Sequence, residues 1–208
     1  MTKNVYLLIL FMACMPVLIL AADDEKYLAG AVPEVDGKVV FSQEYDLTGI
    51  DQNAIYDHIY NWLDSRMKAR NNESRIVLSD KEKGQIVAAG EEMVVFTKNT
   101  FSLDRAIISY YVVVLCKAGK SEVKLERIRY DYENKKYSAE EMITDKVALN
   151  KKKTAIYRGY KRFRTETVDF ADELFESLRA TLGVKDDKVK SNSSSGQTQQ
   201  KTLIQSNN

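Results

Sequence analysis

The sequence predicts an α+β domain in which helices grip one antiparallel sheet. Two observations carry that prediction. Period-two hydrophobic runs separated by short turns fill the middle of the chain, and apolar stripes at spacings of three and four stand before and after them. The resulting order is strand, helix, several antiparallel strands, long helix, and helices packed on one face of such a sheet make an α+β domain.

The elements follow in chain order. Residues 1–22 carry Lys3, an apolar run from Val5 to Leu20 and then Ala21-Ala22 before three acids. Those are the charged, apolar and small-residue regions of a secretory signal. The competing reading is a membrane anchor, but the run is short for a span of roughly 20 residues and is broken by Pro16. Cleavage near Ala22 is preferred over lipidation at Cys14, because the run stays apolar past that cysteine. Residues 23–36 form a lead-in ending in an Asp36-Gly37 turn, and the domain is expected over 37–183.

In "KVVFSQEYDL", Val39, Phe41, Gln43, Tyr45 and Leu47 share one face, which marks a strand with one buried side. Asp51 is placed to cap a helix whose stripe is Ile55, Ile59, Trp62, Leu63 and Met67, fading at "ARNNES". "RIVLSD" and "GQIVAAG" flank the turn "KEK" as a hairpin, and "EEMVVFTK" follows Gly90 as a separate strand. "RAIISYYVVVLCKAG" is apolar on both parities, so it should be covered on both sides, by its own helices, by terminal segments or by a partner. The next run places Val123 and Leu125 on one parity, then Ile128, Tyr130 and Tyr132 on the other. That phase change predicts a bulge near Glu126-Arg127.

Ser138 and Glu141 form a capping box for a short helix. A stripe of Ile156, Tyr160, Phe163, Thr167, Ala171, Leu174, Leu178 and Leu182 predicts one helix from Thr154 to Leu182, roughly 43 Å long. Gly183 ends it. The tail, residues 184–208, is rich in Ser, Gln and Asn and is expected to be disordered.

Composition and charge then restrict function. Loss of the leader removes only Lys3, leaving thirty basic groups against thirty acidic ones, and that balance argues against a general polyanion binder. The stretch "KKKTAIYRGYKRFR" (151–164), with its interleaved aromatics, looks like a nucleic-acid groove. Its Tyr160 and Phe163, however, belong to the core stripe. Export also removes most nucleic-acid partners. Arg158, Lys161, Arg162 and Arg164 fall off the stripe, on the solvated side, and are the candidate anionic contact. His58 is the only histidine, so no Ser/His/Asp set can be built around a second one. With Cys116 the only cysteine left after the leader, no disulfide and no metal-ligand spacing remains. Cys116 itself reads as a small core residue. No phosphate-cradling glycine loop is present, and no cofactor is expected. The paired acids Glu91-Glu92, Glu140-Glu141 and Asp172-Glu173 keep a two-carboxylate hydrolase open as a minor reading.

The segments "YLAGAVPEVDGKVVFS", "SDKEKGQIVAAGEE", "SLDR", "YSAEEMITDKVALNKKKT" and "TVDFADELF" resemble an exported Bacteroidetes family, domain-of-unknown-function family 4468 with TBP-like fold. The resemblance runs from about Tyr27 to Leu182. It implies a β-α-β(4)-α helix-grip architecture and no assigned activity. "TBP-like" names a fold and implies no DNA binding. In that architecture a long helix across a curved sheet leaves room for an apolar cavity, for which Phe41, Tyr45, Trp62 and Leu174 are the candidate walls. The competing reading is that they fill the core. The expectation is therefore an exported, non-enzymatic binding or interaction module of the periplasm, outer-membrane surface or extracellular space. Its partner would be an envelope protein, a lipid, a polysaccharide or a second copy of the chain. A carrier of a small hydrophobic ligand is the alternative.

Overall fold

The computed structural model describes residues 25–69, 73–99 and 102–184. The expected leader with Cys14, and residues 185–208 of the tail, lie outside the described residues. Seven strands form one antiparallel sheet, with β1 (Glu34–Val35), β2 (Lys38–Asp46), β3 (Arg75–Asp80), β4 (Gln85–Asn99), β5 (Ser102–Lys117), β6 (Lys120–Tyr132) and β7 (Lys135–Ser138). The spatial order is β1-β2-β6-β5-β4-β3, with β7 paired to β6. Helix α1 (Gln52–Lys68) and helix α4 (Arg158–Leu182) pack on one face of the sheet, and two single-turn helices, α2 (Ala139–Met142) and α3 (Asp145–Ala148), lie between β7 and α4.

Period-two burial decides which face is inner. In β5, Ile108, Tyr110, Val112, Val114 and Cys116 are buried, and they meet Ile55, Ile59, Leu63 and Met67 of α1 and Phe163, Ala171, Leu174 and Leu178 of α4 in one core cluster. The bulge falls where the phase change puts it. Tyr111 pairs with Glu126 but Ser109 pairs with Arg129, and Arg127 takes a positive φ of 54°. The extra residue turns Ile128 and Tyr130 inward, in step with Val123 and Leu125. The Asp51 carboxylate accepts from the amides of Asn53 and Ala54, and the Ser138/Glu141 capping box is closed in both directions.

Four expectations are revised. Helix α4 begins at Arg158, because Ile156 pairs with Leu149 in an isolated bridge and Tyr157 becomes the N-cap. "GQIVAAG" and "EEMVVFTK" are one strand, β4, which passes straight through Gly90. A Cβ there would lie 2.3 Å from the Tyr110 ring, so the glycine makes room for the tyrosine and does not mark a turn. The lead-in is part of the domain: Val32 is buried, Tyr27 packs on the core, and β1 pairs with β2. Finally, Arg164 is fully buried, at 0% exposure.

Candidate functional site

The outer face of the sheet is the first candidate. Cross-strand partners share a face, so the pairs Val87–Val113, Ala89–Tyr111, Met93–Ile107 and Leu78–Val87 lie together on the side away from the helices. Met93 is 56% exposed, and Leu78, Val95 and Ile107 about 40% or more. Among the described residues, helices cover only the inner parity of β5. The apolar wing is β3–β4–β5. Toward β6 and β2 the same face turns charged, with Glu122 and Lys124 paired at 2.9 Å and Lys120 paired with Glu44 at 3.3 Å.

The second candidate is an open groove of about 570 Å³ between α1 and α4, lined by Trp62 and Arg66 from the first helix and Glu173 and Ser177 from the second. Arg66 is 8% exposed. Its two terminal nitrogens bond Glu173 at 3.0 and 2.6 Å, and Nη2 also lies 3.6 Å from Glu92. Glu92 in turn accepts from the Tyr110 hydroxyl at 2.5 Å. Burial, with the Glu92 charge beside it, raises the Tyr110 phenol far above its ordinary value, so it stays a donor. The Trp62 indole N–H donates to Ser177 at 3.1 Å, tying the helices together, and the Arg66 guanidinium lies 6.0 Å from the indole.

The structure separates the residues expected to act together. Phe41, Tyr45 and Leu174 are buried in the core cluster, with the Tyr45 hydroxyl donating to the Phe175 carbonyl at 2.8 Å, and they line neither described concavity. Trp62 alone of the four reaches a groove, and that groove is outside the core. Of the four basic residues, Arg158 and Lys161 are exposed. Arg162 bonds Asp104 and the Tyr132 hydroxyl and lies over the rings of Phe96, Tyr132 and Phe163. Arg164 cannot serve an external anion. It donates to the carbonyls of Tyr27, Leu28 and Ile143 and to the Asp145 carboxylate at 2.7 Å. Burial alone would push the Asp145 carboxyl up, but the Arg164 guanidinium and the Gly30 amide hold it below its ordinary value.

Glu92 and Glu173 converge on Arg66, whose Nη2 contacts both carboxylates and offsets one of their two charges. His58 is exposed on α1 at the groove. Burial pushes the Cys116 thiol up to about 11, outweighing a weak contact with Ser121, so it carries no thiolate at neutral pH. Among the described residues, no group of three His, Cys, Asp or Glu side chains is placed to hold a metal, and no helix is long and apolar enough to cross a membrane. Arg66 escaped the sequence reading, which named Glu92 and Glu173 only within the adjacent pairs Glu91-Glu92 and Asp172-Glu173. The available signal was an arginine beside the apolar stripe of α1, one turn after Trp62.

Fold and site together define a two-layer α+β domain with a TBP-like fold. The family model described as "Domain of unknown function (DUF4468) with TBP-like fold" matches residues 41–131. A crystal structure of a DUF4468 family protein from Bacteroides ovatus ATCC 8483 is 50% identical, with a TM-score of 0.77, over 80% of this chain and 99% of that one. This chain belongs to that family. A TBP-like protein from Parabacteroides distasonis ATCC 8503, 22% identical with a TM-score of 0.61 over 75% of this chain and 99% of that one, shares the fold. Among curated proteins, none matches the chain.

Proposed function

We propose that the chain is an exported, non-enzymatic interaction module of the cell envelope, and that it docks a second copy of itself through the open face of its sheet. The observation that carries this reading is the uncovered apolar parity of β4 and β5. Strands buried on one side normally alternate with polar residues on the other, whereas here Met93, Val95, Ile107, Val113 and Leu115 continue the apolar pattern outward.

Charge and area favour a second copy as the occupant. The rim of the patch carries Arg75, Arg105, Lys124 and Arg129 against Asp80, Glu122, Glu126 and Asp131, both signs in equal number, while the Glu91–Ser109 pair interrupts its middle. From Arg105 to Leu115 the patch runs ~34 Å at roughly 3.4 Å per residue, and it spans two to three strands at about 4.8 Å each. That gives on the order of 400 Å² per copy and roughly 800 Å² for the pair, the size of a weak, transient contact. A concentration-dependent dimer in the micromolar range follows. Export rests on the leader-like pattern of residues 1–22.

Sedimentation equilibrium over about 1–200 μM tests the reading. The wild type should pass from monomer to dimer, while Met93→Lys with Ile107→Lys should stay monomeric with an unchanged circular dichroism spectrum. A wild-type chain that is monomeric throughout that range refutes self-docking.

A further inference from the structure

The groove between α1 and α4 lies on the opposite side of the molecule from the sheet face and is independent of it. We infer that this groove is a binding site for a neutral saccharide, with Trp62 as the stacking wall and the hydroxyl and amide side chains around it as hydrogen-bonding partners.

The lining chemistry selects the ligand by elimination. Its volume, about 570 Å³, falls within the range of small-ligand sites, roughly 300–1,000 Å³. An acyl chain would need a continuous apolar wall, and of the lining residues only Trp62 and Ala69 are apolar. A phosphate or carboxylate would need an uncommitted cation. The Arg66 guanidinium is instead held bidentately by Glu173 at 3.0 and 2.6 Å, so the site offers neither net positive nor net negative charge. An extended peptide would need a sheet edge to pair with, but both walls are helices.

What the groove does offer is a flat indole flanked by Asn61 and Ser65, which both donate and accept, and by Thr181, whose hydroxyl donates to the Ser177 carbonyl at 3.0 Å and can accept from a ligand. A sugar ring presents an apolar face of C–H groups for the indole and an equatorial rim of hydroxyls for those partners. The wall is also preorganised. The indole N–H is fixed on Ser177 at 3.1 Å, and the Arg66–Glu173 pair bridges the helices beneath it. Binding therefore requires little side-chain ordering, which favours a shallow site.

Trp62 is the chain's only tryptophan, so its emission reports this groove alone. Intrinsic fluorescence of the full chain is followed during titration with maltose, cellobiose and N,N′-diacetylchitobiose, with glycerol, inorganic phosphate and decanoate as comparison ligands. A saturable emission change with at least one disaccharide, absent with glycerol, is the expected result. Asn61→Ala and Thr181→Ala, both at exposed positions, should each weaken that binding about five-fold or more while leaving the circular dichroism spectrum unchanged. Three outcomes overturn the inference: no saturable change with any of the three disaccharides, saturation by phosphate or decanoate instead, or disaccharide affinity unaltered in both variants. Since Met93→Lys with Ile107→Lys leaves the groove intact, saccharide binding should survive in that monomeric variant.

Discussion

Replacing Arg164 by methionine discriminates sharply between the two placements of this residue. On the solvated side of α4, where the spacing pattern puts it, the change would cost within about 0.5 kcal/mol. In the structure it removes the donor for three backbone carbonyls and for a carboxylate whose side chain is 17% exposed, from a side chain that is itself wholly buried. Removing one member of a buried ion pair costs about 3–5 kcal/mol when the partner is left charged and unsatisfied, and here Asp145 keeps the Gly30 amide and the Lys153 ammonium. Tyr27 and Leu28 are half-buried, so water can reach part of the vacated space, and the lower half of that range is the expected result. Urea unfolding followed by circular dichroism measures it: the midpoint should fall with the slope unchanged. Arg164→Lys should recover only a minor part, since one ammonium cannot reach acceptors on both sides of a planar guanidinium. Arg164→Met with Asp145→Leu should recover none of the loss, because it also strips the Gly30 amide and the Lys153 ammonium of their shared partner. A loss below about 1 kcal/mol for Arg164→Met would refute the staple.

Three further outcomes are expected. Because the Asp145 carboxyl is held below its unfolded value of about 3.9, its contribution is complete above that pH and is lost as pH falls through the lower folded value. The stability gap between wild type and Asp145→Asn should therefore narrow between about pH 5 and pH 2, and a gap constant with pH would contradict the pairing. Gly90→Ala should cost about 1–3 kcal/mol, because its methyl meets the Tyr110 ring and dislodges the hydroxyl from Glu92. Hydrogen exchange should show the loosening in β4, β5 and around Arg66, and a wild-type melting curve would count against it. The Cys116 thiol, fully buried and pushed up to about 11, should resist a thiol reagent in the folded protein and react in urea. Modification of the folded chain at the rate of a free thiol would refute that burial.

Parity and capping were legible because each is written in neighbouring residues. Ile128 and Tyr130 announce the bulge by changing phase, and Ser138 with Glu141 announces the cap. The width of a helix's buried face is not written that way. The stripe through Phe163, Thr167 and Leu174 locates the sheet, but the lead-in and α3 bury the flank beside it, taking in Arg164, Val168 and Phe175. A second row, with an arginine at Arg164 and another at Arg179 enclosing Val168 and Phe175, was the signal available. The cavity walls failed for a related reason. Phe41, Tyr45 and Leu174 were placed on the inner face correctly, but alternation cannot tell a lined void from a filled core. The doubly apolar β5 was read as covered on both sides, whereas among the described residues only its inner side is covered and Ile107 is 40% exposed.

The Arg164 staple also bears on the order in which the chain assembles. Its partners Tyr27 and Leu28 stand at the start of the domain, while the arginine itself is delivered only with the last helix. Contacts of such sequence separation close late, after the local hairpins have formed. A chain threaded out amino-terminus first would therefore hold its lead-in unfastened until α4 emerges. The turn at Tyr27 and Leu28 thus gains its fastening from the opposite end of the domain, when a single guanidinium arrives.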